Sequence, residues 1–173
     1  MLLRLREGLR CGLCAPRAKA LEAPDCRVSA PVRISARPSL SAAVAMLQSA
    51  NLPTADLTAA HCEHFFYSGP AEAPTGIVGV EVYGDVALLR SLVVAPGRRG
   101  SGEGSALLEH AEQYARASGA STLYLLTTTA ENFFAKHGYG RVSRDAAPAA
   151  IRATREFAGI CPASSAFMRR ELA

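Results

Sequence analysis

The chain has 173 residues, 49% of them hydrophobic and 20% charged, which suits one globular domain with a substantial core. No apolar run reaches the roughly 18 residues of a membrane span, so no membrane partner is expected. The net charge of +4 gathers in residues 1–30, where six Lys/Arg stand against three acids; the nearly neutral remainder offers no clustered basic face for nucleic acid. Five scattered cysteines are an odd number, which argues against a secreted disulfide scaffold and for a reduced, cytoplasmic setting.

Residues 1–30 stand apart from the domain. Arg4, Arg6, Glu7 and Arg10 interrupt the apolar stretch that a secretory signal needs. The segment is expected to be a disordered tail or a non-native start, with the domain over residues 31–173. Cys11-x-x-Cys14 has no second Cys/His pair at ligand spacing, and His61-x-x-His64 has no third ligand in view, so no metal is expected.

From residue 31 strands and helices alternate. Val32–Ala36 predicts an edge strand ending before Pro38, and Ser39 caps a helix through Ala43, Met46 and Leu47 that stops at Asn51-Leu52-Pro53. Thr54 or Asp56 is expected to start a short second helix towards His61, and His64–Tyr67 reads as a strand. Ile77–Tyr83 and Val86–Val94 form a hairpin around the two-residue loop Gly84-Asp85. Glu103–Ser118 predicts an amphipathic helix with Leu107, Leu108, Ala111, Tyr114 and Ala115 inward and Glu109, Glu112 and Arg116 in solvent, closed by Gly119. A buried strand follows at Ser121–Leu126, then a short helix from Ala130 to His137. A helix over Ala149–Ala158 and a last strand around Ala166–Arg169 complete one mixed α/β domain.

The segment from Pro96 to Gly104 carries the clearest chemistry. Its glycines let successive N–H groups converge, and the helix that follows adds its positive N-terminal end. Such a loop cradles a pyrophosphate, with Arg98 and Arg99 supplying charge. A Walker loop would end in Gly-Lys-Ser/Thr, whereas Gly104 precedes Ser105-Ala106, and the G-x-G-x-G spacing departs from the dinucleotide fingerprint.

Arg99-Gly100-Ser101-Gly102-Glu103-Gly104 resembles the R-x-x-G-x-G coenzyme A signature of the GNAT superfamily of N-acetyltransferases, between an apolar strand and a long helix as that family has it. Ala130–Tyr139 is similar to the family's second motif, a short helix running into Gly-Tyr. Tyr83–Leu92, Leu125–Glu131 and Ile151–Phe157 resemble the arsenic-resistance-associated branch, and Leu125–Ala130 also resembles the acetyltransferase domain of N-acetylglutamate synthases. The resemblance implies the family's fold, a central mostly antiparallel sheet flanked by helices, and acetyl-CoA as co-substrate.

It also implies roles. Leu92, Val93 and Val94 would hold the pantetheine arm through their backbone. Arg99, Gly100, Ser101, Gly102, Glu103, Gly104 and Ser105 would hold the pyrophosphate. Thr127 stands where many relatives have a coenzyme-contacting Asn, and Phe134 where many have the Tyr that protonates the thiolate; Tyr139 or Tyr124 could replace it. The acceptor is then the amine of a small, anionic, amino-acid-like molecule, with a link to arsenic or xenobiotic detoxification; a homodimer is a further expectation.

Hairpin register adds an independent candidate. With Gly84-Asp85 in the loop, Glu81 pairs with Leu88 and shares a face with its diagonal neighbour Arg90. A Glu and an Arg inside an apolar hairpin are costly unless they pair or bind something, which marks both as catalytic candidates and Arg90 as acceptor-binding. Arg152 and Arg155, three apart on the late helix, are candidates for an anionic group of the acceptor. The alternatives are a structural ion pair and a solvated helix face. At the level of function, the alternatives are a non-catalytic acyl-CoA sensor of the same fold and a nucleotide-binding α/β protein.

Overall fold

The computed structural model describes residues 31–172. The expectations for residues 1–30, with Cys11 and Cys14, lie outside the described residues. Seven strands form one sheet in the order β1-β2-β3-β4-β5-β7-β6. They are β1 (Ile34–Ala36), β2 (Phe65–Ser68), β3 (Gly76–Tyr83), β4 (Val86–Val94), β5 (Thr122–Thr127), β6 (Gly140–Arg141) and β7 (Ala166–Glu171). Every neighbouring pair is antiparallel except β4 and β5. The sheet is the mixed, mostly antiparallel one expected. β6, two exposed residues paired to β7, carries too little pattern to be foreseen.

Helices cover both faces. α3 (Glu103–Ala117) packs Leu107, Leu108, Ala111 and Ala115 on Val78, Val80, Ala87 and Leu89, beside Phe134 of α4 (Glu131–Lys136). On the other face α1 (Leu40–Ser49) and α2 (Ala59–Cys62) cover Ile77 and Val93, while Ile151 of α5 (Ala149–Arg152) covers Leu88, Tyr124 and Phe167. Up to Leu89 on β4, residues alternate between these clusters, as a strand with both faces buried demands. Among the described residues no helix is long and apolar enough to cross a membrane.

Three local expectations are corrected. The second helix begins at Ala59 with Thr58 as N-cap, and neither Thr54 nor Asp56 starts it. Thr54–Leu57 is instead a turn, and Asp56 is 3% exposed because its carboxylate is spent on Arg90. Glu112 does not face solvent: it accepts from Arg170 Nη1 at 2.8 Å and from the Tyr139 hydroxyl at 3.0 Å. The late helix stops at Arg152, and a π-helical turn over Glu156–Ile160 takes its place.

The hairpin has the expected register, with Tyr83 opposite Val86 and Glu81 opposite Leu88. Further along, the register shifts between Ile77 and Gly79, and Ser91 takes φ 59°. This β-bulge bends β4 away from its neighbour. The β4–β5 ladder consequently ends at Leu89 opposite Leu125, although β4 runs on to Val94 and β5 to Thr127.

Candidate active site

Where β4 and β5 part, a cleft of about 930 Å³ opens. Its β4 wall carries Arg90, Ser91, Leu92 and Val94, and its opposite wall runs from Leu125 to Ala130 with Phe133 and Phe134. One end is formed by Arg99, Gly100, Gly102, Gly104 and Ser105; the other by Glu156, Ile160, Cys161, Pro162 and Ser165.

At the glycine end, Gly100 and Gly102 stand at φ 78° and 85°, a left-handed backbone that side chains resist. This geometry turns the loop into the N-terminus of α3, whose first N–H groups have no helical acceptor. Glu103 lies in the loop, but its carboxylate faces inward and is 1% exposed. It accepts from Ser68 Oγ at 2.5 Å, from Thr75 Oγ1 and from Arg98 Nε at 2.9 Å. Burial pushes its carboxyl up, but the two hydroxyls and the guanidinium outweigh that and hold it below the usual range. Glu103 can therefore offer the cleft only its backbone. Arg98 is committed to Glu103, while exposed Arg99 donates to the Val94 carbonyl at 3.2 Å.

Ser105 meets a residue with no assigned role at the sequence level. His137 Nε2 lies 2.9 Å from Ser105 Oγ, and its Nδ1 lies 2.8 Å from the Phe133 carbonyl. A carbonyl cannot donate, so Nδ1 carries a hydrogen, and in the neutral ring Nε2 accepts from the serine hydroxyl. Thr127 Oγ1 accepts from Ala130 N–H at 3.0 Å, which ties the end of β5 to α4.

At the opposite end sits a buried charge cluster. Arg90 Nη1 donates to Glu81 Oε1 at 2.6 Å and Nη2 to Asp56 Oδ2 at 2.6 Å, while Glu156 Oε1 forms an ion pair with Nη2. The hydroxyl of Tyr83 donates to Glu81 Oε2 at 2.5 Å. Burial disfavours the Arg90 charge, but Glu156, Glu81 and Asp56 more than offset it, so the guanidinium titrates above its ordinary value. Glu156 shifts upward, chiefly through burial; Arg90 opposes the rise and Glu81 and Asp56 add to it. Three carboxylates gather around one guanidinium, and the neighbouring negative charge favours the protonated form of Glu156.

The structure thus brings Glu81 and Arg90 together and adds Asp56 and Glu156. Leu92, Val94, Thr127 and Phe134 line the cleft, whereas Val93 packs with Ile77 on the face of α1. Arg152 and Arg155 do not share a helix face: α5 ends at Arg152, Arg155 precedes the π turn, and both are exposed and outside the cleft lining. Neither substitute tyrosine lines the cleft. The Tyr139 hydroxyl is buried on Glu112, and Tyr124 stacks on Phe167. Asp56 carried no signal in the sequence, because it reaches Arg90 from a turn 34 residues away. No group of three or more His, Cys, Asp or Glu among the described residues could hold a metal.

Residues 61–141 match the acetyltransferase (GNAT) domain model. Over 57 residues, a third (33%) of this chain, the sequence is 44% identical to an amino-acid acetyltransferase of Ralstonia nicotianae, of which the match covers 13%. Among solved structures, N-acetylglutamate synthase from Neisseria gonorrhoeae, complexed with coenzyme A and N-acetyl-glutamate, superposes with TM-score 0.70 at 23% identity, covering 83% of this chain and 36% of that one. A GNAT-family acetyltransferase from Staphylococcus aureus gives 0.65 at 16% identity over 82% of this chain and 99% of its own. These structural likenesses establish the fold. The chain spans about a third of the synthase's length and about an eighth of the Ralstonia protein's.

Proposed function

We propose that this chain, which carries a GNAT acetyltransferase domain, transfers the acetyl group of acetyl-CoA to the amine of a small amino-acid-like acceptor. One observation carries the proposal: the cleft between the parting strands joins a glycine-rich helix N-terminus at one end to a buried base candidate, Glu156, at the other. The cleft fits an extended thioester. Its loop turns at two positive-φ glycines, and its β4 edge has no strand partner beyond Leu89.

Arg99 and the N–H groups from Gly100 to Ser105 would hold the pyrophosphate, and the free edge of β4 at Leu92 and Val94 the pantetheine arm. When bound, acetyl-CoA supplies an acetyl group on a thioester whose thiol is a competent leaving group. Glu156 takes a proton from the incoming ammonium, and the nitrogen lone pair attacks the acetyl carbonyl. The C–S bond breaks as the C–N bond forms, and the departing thiolate takes up the proton that the attacking nitrogen sheds. Asp56, Glu81 and Arg90 set the charge around Glu156, so that its carboxylate holds a proton more readily than an exposed one. Glu81 and Arg90 therefore act through Glu156 and the acceptor, and Arg152 and Arg155 have no place in this scheme.

The amino-acid-like acceptor is supported by the mixed charge at the Glu156 end and by similarity to an amino-acid acetyltransferase. A link to arsenic or xenobiotic detoxification and a cytoplasmic setting rest on sequence alone. The test is incubation of the full chain with acetyl-CoA and amino acids, aminophosphinates and amino-arsenicals, read by mass spectrometry. An N-acetylated product from at least one class is expected. Coenzyme A binding without any product would favour the second reading, an acyl-CoA sensor, for which the specific observation is Phe134, a phenyl ring with no hydroxyl in the cleft wall.

A further inference from the structure

Among the described residues, two cleft-lining side chains hold a buried donor without a hydrogen-bond partner: Arg90 at Nε and Ser165 at Oγ. Arg90 is 7% and Ser165 4% exposed. Buried polar groups are nearly always paired, so orphaned ones facing a cleft point to something that binds there. Both of Arg90's Nη atoms have carboxylate partners, and Nε is its guanidinium nitrogen without one. The backbone N–H of Ser165 closes a turn on the Pro162 carbonyl at 2.9 Å, while the hydroxyl has no such duty.

The fold puts the two donors at the same end of one face. Arg90 follows Leu88 by two residues on β4, and Ser165 precedes Phe167 by two at the entry of β7. Leu88 and Phe167 pack in one cluster beneath Ile151. Side chains two apart on a strand share a face, which puts Arg90 beyond Leu88, and Arg90, Ser165 and Glu156 all line the cleft.

We propose that Ser165 is an acceptor-binding residue. Its hydroxyl, with Arg90 Nε, donates to an oxyanion that the acceptor carries close to the amine facing Glu156. This inference rests on the acetyltransfer proposed above and adds what selects the acceptor. A carboxylate beside the amine, as in an α-amino acid, completes both donors, and a phosphinate or arsonate oxygen offers the same chemistry. A plain amine leaves both unpaired.

The test compares the wild-type chain with Ser165→Ala, using the best of a panel of α-amino acids and the amine formed by removing its α-carboxylate. A hydrogen bond to a charged group is expected to be worth about tenfold or more in kcat/KM. The variant should lose that factor on the amino acid, lose little on the amine, and keep its KM for acetyl-CoA. Its thermal midpoint should hold or rise, because an unpaired buried hydroxyl is removed. Equal losses on both acceptors, a raised KM for acetyl-CoA, or unaltered selectivity would overturn the assignment while leaving acetyltransfer standing. A wild-type chain that prefers the plain amine would do the same, and one that acetylates neither would bring down both.

Discussion

Glu156 is the residue on which the chemistry turns. Its carboxyl sits above the usual range because burial and two neighbouring carboxylates outweigh Arg90. A base must be ionised to act, so activity should fall as pH drops through this raised value. The acid limb of kcat/KM is therefore expected above the ordinary carboxylate range, and Glu156→Gln should abolish that limb and lower kcat by about 10²–10⁴-fold. A profile unchanged in the variant would place the base elsewhere. Glu103 illustrates the opposite case. Its ionised form is held by two hydroxyls and a guanidinium, so its folded value is depressed. The stability it contributes is present above the unfolded carboxylate value and is lost as pH falls through the lower folded one. Glu103→Ala should cost about 2–4 kcal/mol at neutral pH, since several donors lose a buried acceptor, and urea unfolding would measure it. Glu81 and Glu103 are unequally legible in the sequence. Glu81 beside Arg90 follows from counting hairpin register. Glu103 reads as a loop residue, and nothing local says that it turns inward to Ser68 and Thr75, 35 and 28 residues away.

Elements were more legible than their side-chain partners. Ser39, Gly84-Asp85, Gly119 and Gly138 mark ends that the backbone honours, because capping and positive φ are local demands. The β4 bulge leaves no mark in the sequence, because Ser91 has no special affinity for φ 59°. The late helix broke early for a comparable reason. Glu156 is drawn to Arg90, and the chain adopts a π turn that a periodic pattern does not encode. Close packing at the hairpin gives a direct test. A Cβ on Gly79 would lie 2.1 Å from Cε1 of Phe65, a core residue 0% exposed. Gly79→Ala should therefore destabilise by about 1–3 kcal/mol or more, as overpacking does. A midpoint equal to wild type in thermal unfolding would mean that the ring moves aside freely.

For the molecule as a whole, the arrangement amounts to a sheet opened along one seam. α3 and α4 cover one face of the sheet and α1, α2 and α5 the other, where Arg90 follows Leu88 on β4. Asp56 reaches it from beside α2 and Glu156 from beyond α5, so the charge cluster joins elements far apart in sequence. Donor binding should be visible in global stability. At a hundred times its Kd, coenzyme A should stabilise the fold by about 2.7 kcal/mol, whereas ATP and NAD at the same concentrations should not. Equal stabilisation by ATP would favour a nucleotide-binding protein.

The most direct measurement is initial-rate release of free coenzyme A thiol from acetyl-CoA by the full chain, with donor and acceptor varied together. Transfer within one cleft predicts release that depends on the acceptor, saturates in both substrates and gives intersecting reciprocal plots. Thiol release indifferent to every acceptor, or no release from a chain that binds coenzyme A, would contradict it.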